Sequence, residues 1–415
     1  MPKLSPTAAK AIDAFIAESV SDPHHNLPRA VVMVTTKEGL IYTGADGYAQ
    51  LPPYDSPASA FESAEKITKD SVFEMWSCTK LVTVVAALQL LELGKLDLAA
   101  DASIYVPALK EVEILDGYEG DKPILRKNEQ IITLEQLITH TAGFAYSGDD
   151  TNREIYRIAN NIPAAGGPDA TTESITKMPL SVTPGTTWIY STANDWLALC
   201  VEAASGQELG AYVQEHIFGP LGMTELSYEL LDRNCINIAI TPTPASGPYT
   251  TRPGVKWANS RAFGGHGLLG SPDSYIKLLR VILNGGTVDG KQILRPESVT
   301  QMFSPHLNAT QQIALKERSK SGSDPFTRRR DLAEYEENAK GPQWGFGGVL
   351  SQEDLSSGRK AGSLYWSGMA STYWVIDPAT EIAFVIFTNV VPYGPEQIWD
   401  LWEKVEVELY KGLSA

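Results

Sequence analysis

A run of apolar residues at 81–93 predicts a helix that is surrounded by the protein core. Its apolar positions fall on nearly every side of a helical wheel, which is typical of a buried helix rather than a surface helix. Gly94 follows the run and supplies a natural stop. The run is too short to span a lipid bilayer, so it does not predict a membrane helix.

Amphipathic patterns at both ends of the chain predict strands flanked by helices. Residues 5–20 and 398–409 carry apolar side chains at helical spacing. Alternating or continuous apolar segments predict strands at 30–36, 40–48, 344–350, 363–366, 373–376 and 382–387. These patterns predict an α/β (α+β) fold in which both termini contribute to one sheet.

The middle of the chain predicts a separate, mainly helical lobe. Thr133 can cap a short helix that Gly143 ends, and a further helix is expected at 193–204. We place the sheet lobe at 1–105 and 270–415 and the helical lobe at 106–269. A charged segment with few large apolar residues predicts a flexible surface insertion at 310–342.

Charge and cysteine content narrow the classes of function. The 34 basic and 50 acidic residues give a net charge of −16, which argues against a nucleic acid or an anionic membrane as partner. Three scattered cysteines indicate neither a zinc site nor a disulfide framework, and no cofactor is predicted. The N-terminus lacks an apolar signal core, so we expect a soluble, cytoplasmic protein.

Ser77 and Lys80 stand three positions apart at the start of the buried helix. In a helix that begins near Trp76 they project from one face and can touch. A hydroxyl needs a base to attack a carbonyl at neutral pH, and a lysine whose charge is disfavoured by desolvation can be that base. The helix N-terminus adds positive partial charge where an alkoxide would form. The pair therefore predicts a serine nucleophile.

The Ser-x-x-Lys spacing alone does not select the site. The same spacing occurs at Ser63/Lys66, Ser174/Lys177, Ser274/Lys277 and Ser357/Lys360. Only Lys80 leads into a helix without an obvious wet face, where an ordinary lysine is costly unless it is paired or neutral. Context therefore favours Ser77, while the pattern leaves the other pairs open.

Five ordered motifs resemble the serine β-lactamase-like superfamily, which includes class C β-lactamases, family VIII carboxylesterases and penicillin-binding peptidases. The motifs are Ser77-Cys78-Thr79-Lys80, residues 133–143, Trp188-Ile189-Tyr190, the glycine-rich residues 263–270, and Ser363 to Gly368. Several stretches look most similar to fungal acyltransferases of the lovastatin type, which move a short acyl group onto a polyketide alcohol. The resemblance covers roughly residues 25–390. It implies a β-lactamase/transpeptidase-like fold, with an antiparallel sheet between terminal helices and an inserted helical lobe.

The resemblance also implies residue roles. Ser77 would be the acylated nucleophile, Lys80 its base, and Tyr190 the phenol that shuttles a proton to and from the alcohol or water. The backbone N–H groups of Ser77 and Met369 would form the oxyanion hole. Residues expected to line the substrate pocket are Tyr146, Trp366, Ser367 and Gly368. Glycine at 368 fits a backbone that must approach the substrate closely.

Two departures from the family pattern change the expected substrate. The usual Tyr-x-Asn is Tyr190-Ser191-Thr192 here, so an amide donor is missing unless Asn194 compensates. Trp366 stands where lactamases and peptidases carry a cation that holds a substrate carboxylate. An indole removes that charge-assisted contact and adds apolar surface, which favours uncharged esters or thioesters over penicillins.

Two histidines in the motifs, His140 and His266, are interpreted as structural. Each lies near glycine, but no acidic partner is evident for either one at a telling sequence distance. The Ser-Lys-Tyr scheme also leaves no role for a histidine base. A structural interpretation of both side chains is therefore favoured.

The leading hypothesis is transfer of an acyl group through Ser77 to an alcohol of a small molecule, such as a secondary metabolite, or to water. The partners would be an ester or thioester donor and an alcohol acceptor, with an acyl carrier protein as a further candidate. One alternative is a β-lactamase or D-amino-acid peptidase of the same fold. Another is a binding scaffold without catalysis, which the presence of Ser77, Lys80 and Tyr190 together argues against.

Overall fold

The computed structural model describes residues 2–167, 169–229, 235–241, 247–254, 261–320 and 340–414. Residues 321–339, the greater part of the predicted insertion at 310–342, lie outside the described residues. The predicted bounds of the two lobes remain a prediction.

Helices and strands both contribute across the described chain. The α-helices are α1 (Pro6–Ser19), α2 (Ala58–Ser63), α3 (Thr79–Glu92), α4 (Leu134–Ile138), α5 (Thr151–Ala159), α6 (Glu173–Thr176), α7 (Ala193–Ser205), α8 (Leu209–Val213), α9 (Gly219–Leu221), α10 (Pro272–Leu283), α11 (Pro296–Met302), α12 (Ala309–Lys320) and α13 (Glu396–Gly412). The strands are β1 (Lys3–Leu4), β2 (Arg29–Thr36), β3 (Leu40–Gly47), β4 (Phe73–Glu74), β5 (Glu113–Glu119), β6 (Lys122–Lys127), β7 (Leu226–Ser227), β8 (Ile238–Ile240), β9 (Thr250–Arg252), β10 (Leu269–Gly270), β11 (Thr287–Val288), β12 (Lys291–Gln292), β13 (Gln343–Gly345), β14 (Gly348–Leu350), β15 (Leu364–Gly368), β16 (Thr372–Asp377), β17 (Ile382–Phe387), β18 (Val390–Val391) and β19 (Leu413–Ser414).

A seven-stranded sheet joins the two ends of the chain in the order β13-β14-β15-β16-β17-β2-β3. All of its neighbouring strands pair antiparallel, and β17 pairs with β2 in a register that sets Phe387 opposite Val31. Both β17 and β2 are buried along their whole length. The predicted α+β fold with an antiparallel sheet is therefore confirmed.

Helices cover both faces of this sheet. The ring of Phe384 lies 5.7 Å from that of Trp402 in α13, whereas the ring of Phe387 lies 6.0 Å from that of Tyr275 in α10. Residues three apart in a strand point to opposite faces. It follows that α13, which packs against α1, and α10 lie on opposite sides of the sheet.

Local departures from the sequence predictions have backbone causes. Thr133 caps helix α4 as predicted, in a capping box with Gln136, but the helix ends at Ile138 and His140 then takes a φ of +59°. Gly143 lies in the loop beyond, where a side chain would clash with the carbonyl oxygen of Val182. Thus Gly143 permits a close backbone approach rather than ending the helix.

The predicted strand at 344–350 is a hairpin instead. Strand β13 pairs with β14 so that Gly345 is opposite Gly348. Between them Gly347 adopts a φ of +105°, which an L residue rarely adopts. The apolar pattern continues across the turn because Phe346 is buried in the core. Because this turn contains no polar residue, the pattern of apolar and polar positions did not reveal it.

Candidate active site

Ser77 lies in a 3₁₀ turn, Trp76–Cys78, directly before helix α3. Trp76 has a φ of +45°, an unfavourable conformation for a bulky residue. The turn is anchored by Met75, whose backbone N–H donates to the carbonyl of Leu268 at 2.9 Å. The half-buried Ser77 side chain is thereby held in a pocket wall by backbone packing.

Lys80 is only 2% exposed, and its amine touches three oxygen atoms. Nζ lies 3.1 Å from Ser77 Oγ, 3.0 Å from the Tyr146 hydroxyl and 2.9 Å from the carbonyl oxygen of Gly265. The carbonyl can only accept a hydrogen bond, whereas each hydroxyl can donate or accept. The amine can therefore exchange a proton with Ser77 while it stays anchored to Gly265.

Tyr190 faces the same amine with its ring. Lys80 Nζ lies 4.8 Å from the centre of that ring, within the range of a cation–π contact. The Tyr190 hydroxyl accepts a hydrogen bond from the indole N–H of Trp366 at 3.3 Å. The predicted residues thus lie together, but the phenol bonded to Lys80 belongs to Tyr146.

Tyr146 was predicted only to line the pocket, but its hydroxyl also forms a hydrogen bond with the Lys80 amine. Burial, followed by the neighbouring Tyr190, raises the pKa of the Tyr146 phenol well above its ordinary value. The hydroxyl therefore keeps its proton at neutral pH. Tyr146 follows the predicted 133–143 motif by three residues, but its distance from Lys80 along the chain gave no sign of contact.

Strand β15 contributes Trp366, Ser367 and Gly368 to the pocket lining. The Ser367 hydroxyl donates to the Tyr393 hydroxyl at 3.0 Å, and Trp366 is 8% exposed. Any side chain at Gly368 would clash with the carbonyl oxygen of Met75 and the hydroxyl of Thr372. Glycine at 368 is therefore required by a close approach to the residue before the Ser77 turn, and the expected approach of this backbone to the substrate stays a prediction.

A cavity of about 460 Å³ opens beside Ser77. It brings together the predicted Tyr146, Tyr190, Trp366, Ser367, Gly368 and Met369, and further lining residues include Trp188, Asp149, Glu154 and Arg318. Asp149 and Arg318 form an ion pair at 2.6 Å. The pocket is thus lined by aromatic side chains around the serine and by one ion pair, between Asp149 and Arg318.

His140 is a buried, neutral side chain. Burial, with the charge of Lys80 next, lowers its pKa well below the ordinary value. Its Nδ1 lies 3.1 Å from Ser191 Oγ, and its Nε2 lies 3.3 Å from the amide nitrogen of Asn194. The Asn194 amide is therefore engaged with this histidine and does not compensate in the cleft for the missing Tyr-x-Asn donor.

His266 has an acidic neighbour that the sequence did not reveal. Its Nδ1 lies 3.8 Å from Oδ1 of Asp195, which also accepts the backbone N–H of Gly265 at 2.7 Å. Burial lowers the pKa of His266 to about 3 and raises that of Asp195 to about 6. At neutral pH an uncharged imidazole therefore faces an ionised carboxylate. No spacing along the chain indicated this acidic neighbour, and the structural interpretation of His266 stays a prediction.

The described part of the chain contains neither a cluster of metal-binding side chains nor a helix that could cross a membrane. No three His, Cys, Asp or Glu side chains there are grouped so that they could hold a metal ion. Among the same residues, no helix has both the length and the apolar character that crossing a membrane requires.

Comparison with known proteins places this fold and pocket in a family. The family model described as Beta-lactamase matches residues 8–406, so the chain belongs to that family. A lovastatin esterase from Penicillium rubens is 30% identical over 93% of this chain and 95% of its own length. A monacolin J acid methylbutanoyltransferase from Aspergillus terreus is 28% identical over 92% of each chain.

A solved structure shares the architecture. A mutant of simvastatin synthase from Aspergillus terreus superposes with a TM-score of 0.85 at 26% identity, covering 98% of this chain and 95% of that one. The fold predicted from the resemblance is thus confirmed over nearly the whole length. The predicted superfamily is confirmed as well.

Proposed function

We propose that this protein is a serine acyltransferase or esterase that works through an acyl-Ser77 intermediate. The observation that carries the proposal is the contact of 3.1 Å between the buried Lys80 amine and the Ser77 hydroxyl in the wall of a pocket. The names of the similar proteins, an esterase and an acyltransferase, support the same class of reaction.

In the first half-reaction, Ser77 Oγ attacks the carbonyl carbon of an ester or thioester while its proton passes to Lys80 Nζ. The tetrahedral intermediate collapses when the bond to the leaving alcohol or thiol breaks. The leaving group then takes up a proton from the Tyr190 hydroxyl, whose ring lies with its centre 4.8 Å from the amine. The product of this step is an ester on Ser77.

In the second half-reaction, an alcohol or water attacks the acyl carbon. Its proton returns through the same relay, the bond from carbon to Ser77 Oγ breaks, and Oγ regains its hydrogen. Transferase and hydrolase differ only in which nucleophile takes this step. That choice depends on how well the pocket excludes water and orients the alcohol.

The oxyanion hole belongs to the same proposal. The backbone N–H groups of Ser77 and Met369 would donate to the oxygen of the tetrahedral intermediate. The absence of a side chain at Gly368 supports this assignment, because it lets strand β15 lie against the Ser77 turn. Met369 also lines the pocket beside Ser77.

The lining of the pocket supports small, largely apolar substrates. Trp366, Tyr146, Tyr190 and Trp188 offer aromatic surface around the serine. We therefore propose an uncharged ester or thioester as donor and a small-molecule alcohol as acceptor. A thioester delivered by an acyl carrier protein is a further candidate donor.

A partition experiment tests the proposal. The purified protein is incubated with a p-nitrophenyl ester of a short acid, with and without small alcohols, and the free acid and new ester are quantified. We expect p-nitrophenol release that depends on Ser77, with added alcohol diverting acyl groups into ester. A chromogenic cephalosporin serves as the contrasting substrate and should be turned over little. Rapid cephalosporin hydrolysis without ester turnover would refute the proposal.

A further inference from the structure

Gly265 connects Lys80 to a buried carboxylate. Its carbonyl oxygen accepts from Lys80 Nζ at 2.9 Å, and its backbone N–H donates to Oδ1 of Asp195 at 2.7 Å. A side-chain carbon at position 265 would lie 3.1 Å from both carboxylate oxygens and 3.2 Å from the amine. The amine and the carboxylate therefore face one small space that glycine leaves open.

Among the groups around Asp195, Lys80 in its protonated form acts most strongly on the carboxylate. Burial raises the pKa of Asp195 to about 6, and the largest opposing influence is Lys80, followed by the N–H of Gly265 and by Arg261. Arg261 itself is in an ion pair with Glu202.

Other titratable groups also face this carboxylate. His266 lies at 3.8 Å and is neutral, because its pKa falls to about 3. Tyr146 and Tyr228 keep their protons, because burial raises the pKa of both phenols. The carboxylate of Asp195 thus stands among neutral side chains, the Arg261 cation and the Lys80 amine, which becomes the stronger positive influence once it is protonated.

We propose that Asp195 is a positioning residue for the acyl-transfer reaction, whose negative charge stabilises the ammonium that forms on Lys80 when Ser77 gives up its proton. The inference rests on the proposed function of Ser77 and Lys80. It resembles the way in which a buried aspartate supports an imidazolium in other serine enzymes.

The proton balance is simple. One proton leaves Ser77 Oγ for Lys80 Nζ as Oγ bonds to the acyl carbon, and it passes through the relay to the leaving group when the bond to that group breaks. In the second half-reaction the proton of the incoming alcohol or water reaches Ser77 Oγ by the same route. Asp195 takes no proton in either step. Its charge lowers the energy of the state in which the amine is protonated while the Gly265 peptide keeps the amine in place.

Asp195→Asn is the primary test, because asparagine keeps an oxygen for the Gly265 N–H and removes the charge. We expect kcat/KM for a p-nitrophenyl ester at pH 8 to fall about 100-fold, as is typical when a group that stabilises transition-state charge is lost. The matched control is Asp273→Asn, which also removes a carboxylate from the first turn of a helix but lies in α10. The control should retain its activity within about twofold.

The pH dependence separates charge from structure. Asp195 takes up a proton as the pH falls below about 6, so wild type then loses the charge that the variant lacks at every pH. The ratio of wild-type to variant activity should therefore narrow between pH 8 and pH 5. A purely structural role would give a constant ratio. Equal activity of wild type and Asp195→Asn at pH 8, or a constant ratio, would overturn the inference.

Thermal unfolding provides a second check on the Asn variant. A carboxyl whose folded pKa is raised makes the folded state less stable above that pKa, because ionisation is then easier in the unfolded chain. The melting midpoint of Asp195→Asn at pH 7.5 should therefore equal or exceed that of wild type. A marked fall in the midpoint would indicate a structural carboxylate and contradict the inference.

If Asp195→Asn does not fold, Gly265→Ala tests the proposed role of Asp195 instead. The added methyl group must push apart the amine and the carboxylate, which each lie close to its position. We expect at least a 10-fold loss of kcat/KM, and unchanged activity would overturn the inference. A wild-type protein without any Ser77-dependent turnover would instead refute the proposed function, so the two failures are distinguishable.

Discussion

Two segments of this protein share the Ser-x-x-Lys spacing at the start of a helix, yet they place their lysines in opposite environments. Lys80 is 2% exposed and bonded to Ser77, whereas the Lys277 side chain is 39% exposed and pairs with Asp273 at 3.5 Å. Lys277 also donates to the carbonyl of Gly222 at 2.9 Å. One lysine belongs to the core and the other to the surface.

The partners of the two serines differ in the same way. Ser77 Oγ lies against the Lys80 amine in a pocket wall, whereas Ser274 Oγ accepts the backbone N–H of Glu225 at 3.2 Å. A solvated lysine keeps its charge because water stabilises it, while a buried amine next to a hydroxyl can exchange a proton with it. The comparison teaches that burial of the lysine, not the spacing, distinguishes Ser77, the proposed nucleophile, from Ser274.

The largest predicted effect separates the two serines directly. Ser77→Ala should lower p-nitrophenyl ester turnover at least about 1,000-fold, because the acyl group then has no nucleophile to receive it. Ser274→Ala should keep activity within about twofold, although loss of its hydrogen bond with Glu225 costs about 1 kcal/mol of stability. Steady-state rates of the two purified variants check both halves. Comparable losses of ester turnover in the two variants would contradict the proposed difference between Ser77 and Ser274.

The next largest loss of activity is expected at Lys80. Lys80→Met should reduce kcat about 1,000-fold, because it removes the base while an apolar chain of similar length fills the buried site. Circular dichroism and thermal unfolding should show that the variant remains folded. If Lys80→Met retained a rate near that of wild type, the base would have to be another group.

The two phenols around Lys80 rank third. Tyr190→Phe should lower kcat about 100-fold because the proton relay is lost. Tyr146→Phe removes only a hydrogen bond of 3.0 Å to the amine, so a loss of about 10-fold is expected. Paired measurements of kcat and KM on the same ester provide the ranking. A larger loss of kcat in Tyr146→Phe than in Tyr190→Phe would indicate that Tyr146, not Tyr190, relays the proton.

The smallest effect is expected at Lys277. Lys277→Met removes an exposed ion pair with Asp273, and such pairs typically contribute less than about 1 kcal/mol. Activity should be unchanged and the free energy of unfolding should fall by no more than about that amount. Chemical denaturation measures it, and a large loss of activity would place the Ser274 segment in the catalytic machinery.

Sequence reasoning succeeded where a contact is local or a pattern is periodic. The predicted strand at 382–387 coincides with β17, and the three-residue spacing of Ser77 and Lys80 correctly predicted that they touch. The apolar run at 81–93 likewise predicted the burial of helix α3. In each case neighbouring residues contain the necessary information.

The remaining features depend on packing between distant segments. Asp195 meets Lys80 through Gly265, and Tyr146 reaches the same amine from a loop, so no spacing along the chain could reveal either contact. The clash that requires glycine at 368 likewise involves the carbonyl of Met75, nearly three hundred residues earlier. Such contacts become visible only when the chain is folded.

One measurement tests the central claim most directly. The intact protein is treated with a serine-reactive phosphonate, and the adduct is located by mass spectrometry and peptide mapping. The account predicts a single adduct on the peptide that carries Ser77, lost in Ser77→Ala and retained in Ser274→Ala. An adduct on another residue, or equal labelling of Ser77→Ala and wild type, would contradict it.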